Sequence, residues 1–201
     1  VLTHVAGTQV RESGGLGSFS SASLRGSPSD QVMIYLDGML LNDASRGSVN
    51  LSNSDLLHAQ QVDIYRGTTP AQLGIASLGG AIHIQTPATD SRITNISLGT
   101  GSFGSQQLGL MKTLPGERWN SLFSVTHQES DNDFPFLFDN GTTFNTNDDR
   151  ETHRHNAANQ QTTALLKLKS TEQQNLLFQW FDKEQQIPDP LNSAANHARL
   201  A

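Results

Sequence analysis

The chain has 201 residues, 35% hydrophobic and 16% charged, with 17 glycines and no cysteine, enough for one or two ordinary domains. Its net charge of −6, from 13 basic against 19 acidic side chains, argues against a nucleic-acid partner, which needs a basic stripe to meet phosphates. No run approaches the roughly 18 apolar residues of a transmembrane helix, which leaves a transmembrane β-barrel open because barrel strands are short and alternating.

The chain begins at Val1 without a basic-then-apolar leader and ends at Ala201 in polar sequence, and we read it as an internal fragment. Residues 1–11 read as the end of a helix or turn feeding an extended stretch at 8–11. Residues 12–22, E-S-G-G-L-G-S-F-S-S-A, form a small polar loop in which Leu16 and Phe19 are the apolar exceptions; composition alone makes it a flexible linker. A strand at Leu24 and Arg25, a turn over 26–30 and the apolar run 32–36 follow. Such a run predicts a strand buried on both faces, and Asp37-Gly38 before Met39 and Leu40 is a strong hairpin signal. After a second loop at 42–50, residues 51–61 have room for a short helix, which Ser54 or Asp55 can cap, with Leu56, Leu57 and Ala59 as its apolar side. Val62, Ile64 and Tyr65 make a β-prone run that stops at Arg66-Gly67. A turn-rich stretch with Thr69, Pro70 and Gly74 then reaches Gly79-Gly80 and a second strand in which Ala81 and His83 alternate with Ile82 and Ile84. Through Thr86 the expectation is a small α+β domain, and 87–91 is the linker out of it.

The stretch from Val62 to Thr86 resembles the end of the plug domain in TonB-dependent outer-membrane receptors, whose pattern runs I-E-V-I-R-G-P, then Y-G, then G-G-V-I-N-I-I-T. Here Asp63 stands in place of Glu, Leu73-Gly74 in place of Tyr-Gly and His83 in place of Asn. Ser23-Leu24-Arg25-Gly26 and the run from Val32 to Asn42 are similar to the family's I-R-G and V-L-V-D-G-V-P-L-N. The resemblance implies that residues 12–22 are the first apical loop of a plug, where substrate is met. Loops 12–22 and 42–50 are the expected substrate contacts, through Ser13, Leu16, Ser18, Phe19, Asn42, Asp43 and Arg46, with Leu73 from loop 68–77 third. Their hydroxyls, amides and glycines offer adaptable hydrogen bonding, and Leu16, Phe19 and Leu73 offer apolar contact. Arg25 and Arg66 each end a β-run before Gly, where a guanidinium can meet a carboxylate in bidentate geometry. In the family such arginines lock the plug to the barrel wall, a role the resemblance extends to Arg25, Asp63 and Arg66.

After the linker the texture changes to alternating segments at 93–99, 103–112, 119–128, 161–169 and 176–181. Such segments suit the wall of a membrane barrel with a wet interior, and equally a soluble β-sandwich. The joins favour the barrel: the first outer join, 100–102, is short, but the turns at 114–117 and 170–174 flank a long outer join over about 130–160, which a compact soluble domain would rarely hold. Trp119 and Trp180 fall near predicted strand ends, as an aromatic girdle would place them.

Other chemistry finds little support. Gly99 to Gly104 matches G-x-G-x-x-G, but the following S-Q-Q-L-G-L-M-K alternates like a strand, whereas pyrophosphate binding needs a helix N-terminus. G-x-S-x-G, Walker A and H-E-x-x-H do not occur. Asp131, Asp133, Asp139, Asp148, Asp149, Glu151, His153 and His155 crowd the long join; oxygen ligands at that density suit calcium, yet no spacing matches a known cage and a solvated loop is the simpler reading. The sequons at Asn95 and Asn140 match by pattern only.

The reading is therefore an α+β plug over 1–86, a linker at 87–91, and over 92–201 the first five or so antiparallel strands of an incomplete transmembrane β-barrel, which in this family closes at about 22 strands. By resemblance it is an outer-membrane receptor for TonB-dependent uptake of a ferric siderophore or a cobalamin-like vitamin, not an enzyme and without a cofactor. Its partners are TonB with its inner-membrane complex, the metal chelate or vitamin, and outer-membrane lipid. The rival is a soluble periplasmic binding module with a plug-like domain and no transport role.

Overall fold

The structure, a computed structural model, describes residues 7–43, 47–54, 57–67, 69–74, 77–138, 144, 146–172, 174–187 and 196–200. The first loop is the tip of a hairpin: β1 (Thr8–Glu12) pairs antiparallel with β2 (Ser20–Leu24). Beside it β3 (Met33–Leu36), β4 (Met39–Leu40), β5 (Gln61–Tyr65) and β6 (Ala81–Gln85) form a mixed sheet of order β4-β3-β6-β5, with β3 parallel to β6. The apolar run gives β3 its predicted burial: Ile34, Tyr35 and Leu36 are all buried, and with Leu24, Val32, Ile82 and Ile84 they fill the plug interior.

Asp37-Gly38 closes β3 and β4 into the expected tight hairpin, both residues at positive φ (48° and 89°). The Asp37 carboxylate then reaches the end of β6, accepting from the Thr86 N–H at 3.0 Å and the Thr86 hydroxyl at 2.6 Å. Gly79-Gly80 marks a close backbone crossing. Gly80 has φ +104°, and a Cβ there would strike the Tyr65 carbonyl and lie 2.9 Å from Leu24 Cδ1; one on Gly79 would lie 2.7 Å from the Gln31 carbonyl.

The helix expected over 51–61 is a single 3-10 turn, Leu51–Asn53, before an extended Ser54 at φ −98°, ψ 122°. Asn50 starts it in place of Ser54 or Asp55, its side chain accepting from the Ser52 N–H and from the Ser20 N–H at 3.0 Å. A cap shared with β2 ties the start of the turn to the plug hairpin. Asp55 lies outside the described residues.

After the linker, β7 (Thr94–Thr100), β8 (Gln106–Leu114), β9 (Trp119–Ser130), β12 (Asn159–Ser170), β13 (Asn175–Ile187) and β14 (Asn196–Leu200) form one antiparallel sheet. A separate hairpin, β10 (Pro135–Phe138) with β11 (Arg150–His153), occupies the long join between β9 and β12. Gly99 to Gly104 is the end of β7 and its turn into β8, with no helix after it.

Register separates the two faces of this sheet. Ile96, Leu110, Val125, Ala164 and Trp180 lie abreast across five strands on the face away from the plug. That face is apolar yet exposed: Leu98 is 80% accessible and Phe178 60%. The face toward the plug carries buried Thr113, Ser124, Thr126, Gln161, Thr163 and Lys183, with Met111, Leu122 and Leu165 joining the plug core. Apolar outside and polar inside is the wall of a membrane barrel. Trp180 corrects the girdle expectation: β13 runs on to Ile187, so Trp180 sits mid-strand within the apolar band. Trp119 opens β9.

Candidate substrate-binding site between plug and wall

The apical loop folds on itself through Ser13 N–H to Phe19 O and Ser18 N–H to Gly15 O, both 3.0 Å. The wall then grips it. Asn132, just past β9 and 4% exposed, mimics a strand partner: its Oδ1 accepts from the Leu16 N–H and its Nδ2 donates to the Leu16 carbonyl, each at 3.0 Å. The same amide donates to Ala157 O at 2.9 Å, so one side chain joins the plug loop to the long outer join. Lys183 of β13, 1% exposed, donates to the Gly17 carbonyl, to Ser52 Oγ at 3.2 Å and to Asn53 Oδ1 at 3.4 Å. Gly17 is buried at φ +81° against the Asn159 amide, where a Cβ would overlap that side chain. Glycine is therefore required at the loop tip.

Two contacts hold the plug lower down. His58 Nδ1 lies 2.6 Å from Ser124 Oγ, and at the linker end Lys167 of β12 pairs with Asp37 at 3.1 Å while donating to Thr86 Oγ1 at 3.0 Å. Burial pushes the Tyr35 hydroxyl above the ordinary phenol range.

Three hollows open around the apical loop. One of about 620 Å³ is floored by residues 14–18 and walled by Gln107, Gln128, Gln161 and Thr163, with Phe103 and Phe134 at its rim. A second, about 670 Å³, lies between Phe19, Leu41 and Asp43 and the side of β13 at Leu177 and Phe181. A third, about 320 Å³, has Ser13 and Ser18 on one side and Phe134, Phe136 and Arg154 on the other. The expected contacts thus divide: Leu16 and Ser18 face the first hollow, Phe19 and Asp43 the second, Ser13 the third.

Asn42 is turned to structure. Its Oδ1 accepts from the Ile34 N–H at 2.8 Å, and its Nδ2 donates to Val32 O and Gly47 O, so the amide continues the β3 edge where two-residue β4 ends. Leu73 lies half-buried on the 3-10 turn Ala71–Leu73 and lines none of the three hollows. Arg46, Asp139 and the Asn140 sequon fall outside the described residues. Arg25 and Arg66 are exposed; among the described residues the ion pair between plug and wall is Lys167 with Asp37. Asp63 accepts from Gln61 and Gln85 within the plug sheet, at 2.7 and 2.6 Å. Among the described residues no three metal-ligating side chains converge; His153 Nδ1 instead lies 2.8 Å from the Asp133 carbonyl.

Residues 1–81 match the TonB-dependent receptor plug domain. Residues 1–81 thus carry a plug domain of the TonB-dependent receptor type. It is 32% identical over 111 residues to the vitamin B12 transporter BtuB of Vibrio cholerae, a match covering 55% of this chain and 18% of that protein. Among solved structures it resembles the copper transporter OprC, with a TM-score of 0.62 at 18% identity over 92% of this chain and 28% of that one. It also resembles the pyoverdine outer-membrane receptor FpvA of Pseudomonas aeruginosa, with a TM-score of 0.58 at 16% identity over 92% of this chain and 24% of that one. The family is one of outer-membrane receptors and transporters, not enzymes. The chain therefore spans about a fifth to a quarter of the relatives it matches.

Asn132, Lys167 and Lys183 are among the residues that join plug to wall, and the sequence reading did not single them out. Their signal was a lysine or amide at an inward position of an alternating strand, or just past its end, where a soluble sandwich would want an apolar residue.

Proposed function

We propose that these 201 residues are the plug and leading barrel strands of a receptor that binds a bulky, scarce nutrient, a metal chelate or vitamin, outside the cell. TonB and its inner-membrane complex then supply the energy that shifts the plug and lets the nutrient pass. The observation that carries this reading is the hollow between apical loop and polar wall, beside which the plug is held by hydrogen bonds, by one ion pair among the described residues and by a small apolar contact. Met111, Leu122 and Leu165 are the wall's only described contributions to the buried apolar cluster. Arg25, Asp63 and Arg66 stay candidates for further locks, since both guanidinium groups lie exposed at the plug surface. The exposed apolar outer face supports lipid as the surrounding phase and counts against the soluble binding module. Uptake of radiolabelled chelates and cobalamin by cells expressing the receptor that carries these residues tests the proposal. Accumulation should require TonB; failure to bind or accumulate any chelate or vitamin, with the receptor present in the outer membrane, would refute it.

A further inference from the structure

The wall of the first hollow has a composition that selects its ligand. Gln107 on β8, Gln128 on β9 and Gln161 on β12 are register partners, so three amides from adjacent strands stand abreast facing the plug. Gln161 is 4% exposed; its Nε2 donates weakly to Thr163 Oγ1 at 3.4 Å and its Oε1 has no hydrogen-bond partner. A buried carbonyl oxygen without a donor is costly, and a ligand N–H or O–H entering the hollow would relieve that cost.

Two aromatic rings line the same hollow. Phe103 and Phe134 meet edge to face, their centroids 6.0 Å apart. Phe103 takes φ +57°, a conformation bulky residues avoid, and its carbonyl is held there by the Asp131 N–H, the Asn132 N–H and the Ser130 hydroxyl. Three donors are thus spent to keep one ring at the mouth of the hollow. Among the described lining residues Glu12 is the only charged one. Nothing there would neutralise a polyanion, and Glu12 would repel one.

We propose that this hollow takes an uncharged chelate or vitamin whose periphery carries amide or hydroxyl groups and which turns an apolar face to Phe103 and Phe134. The glutamine row pairs with the peripheral donors, and the neutral wall disfavours catecholate and carboxylate complexes. This inference rests on the uptake function proposed above and narrows its substrate class.

The test uses the complete receptor in detergent and four probes: cyanocobalamin and ferrichrome as the uncharged set, ferric enterobactin and ferric dicitrate as the anionic set. An uncharged probe should bind most tightly, with affinity nearly independent of salt. Gln128→Leu and Gln161→Leu should each weaken it about tenfold, the loss of one ligand hydrogen bond. Gln107→Leu, at a half-exposed site that tolerates replacement, checks the same row without risk to folding and should weaken binding similarly. Tighter binding of an anionic probe, falling steeply with salt, would overturn the inference while leaving the uptake function standing. So would tight binding of an uncharged probe that is indifferent to all three glutamine replacements. If no probe binds or is accumulated, the uptake function fails with it.

Discussion

Inside the plug, Leu24, Val32, Ile34, Ile82 and Ile84 pack as an apolar cluster, whereas the wall meets the plug with buried Lys183, Thr113, Ser124, Asn132 and Thr163. The two surfaces are equally shut off from solvent and differ in what replaces them when they part. Opening the apolar cluster exposes hydrocarbon to water, at about 25 cal/mol per Å². Parting plug from wall mostly exchanges protein hydrogen bonds for water hydrogen bonds, a net loss of about 1 kcal/mol each, and uncovers the smaller apolar patch at Met111, Leu122 and Leu165. A plug built this way keeps its own fold while its seat on the wall stays reversible.

The difference can be broken or sharpened by substitution. Ile82→Ala, at a site with no solvent exposure, should cost about 3 kcal/mol in denaturant unfolding of the receptor; a loss under about 1 kcal/mol would mean the cluster is not the plug's main support. Lys167→Met leaves the largely buried Asp37 carboxylate without its cation, and roughly 2 kcal/mol of plug anchoring should go with it. Faster proteolysis within residues 87–91 would report that loss, and a matching double variant with Asp37→Asn should recover part of it. Asn132→Ala should change global stability by no more than about 1 kcal/mol but speed amide exchange at Leu16, which loses the partner of its N–H. Unchanged exchange there would show the grip to be incidental.

The smallest effect is on pH. Tyr35 is 1% exposed and its folded-state pKa is raised by burial, so its stability contribution is complete below the ordinary phenol value near 10. Above that value the unfolded chain ionises first, and stability should fall until the folded-state pKa is passed. Tyr35→Phe should flatten the alkaline limb of the stability profile; an unaltered limb would assign it to other groups.

Much of this arrangement was legible in the residues. Asp37-Gly38 announced its hairpin and the run at 32–36 its burial, because each signal lies within a few consecutive residues. The short helix placed within 51–61 gave way to a 3-10 turn starting earlier, where Asn50 caps it while also holding Ser20, a partner thirty residues away. The Asn42 amide has the chemistry of a ligand contact, and only the brevity of β4 explains why it completes the β3 edge. The glutamine row needs three strand registers at once. No single strand displays it.

The β1–β2 hairpin has one further property, which is mechanical. Thr8 pairs with Leu24 at its open end and Glu12 with Ser20 next to the apical loop, while Leu24 is anchored in the plug core. A pull applied from the N-terminal side therefore loads the pairs one after another, as a zip is opened, rather than shearing all five together. Tension along this hairpin would reach residues 14–18 last, so the force needed stays low and that loop moves only after β1 has been drawn out.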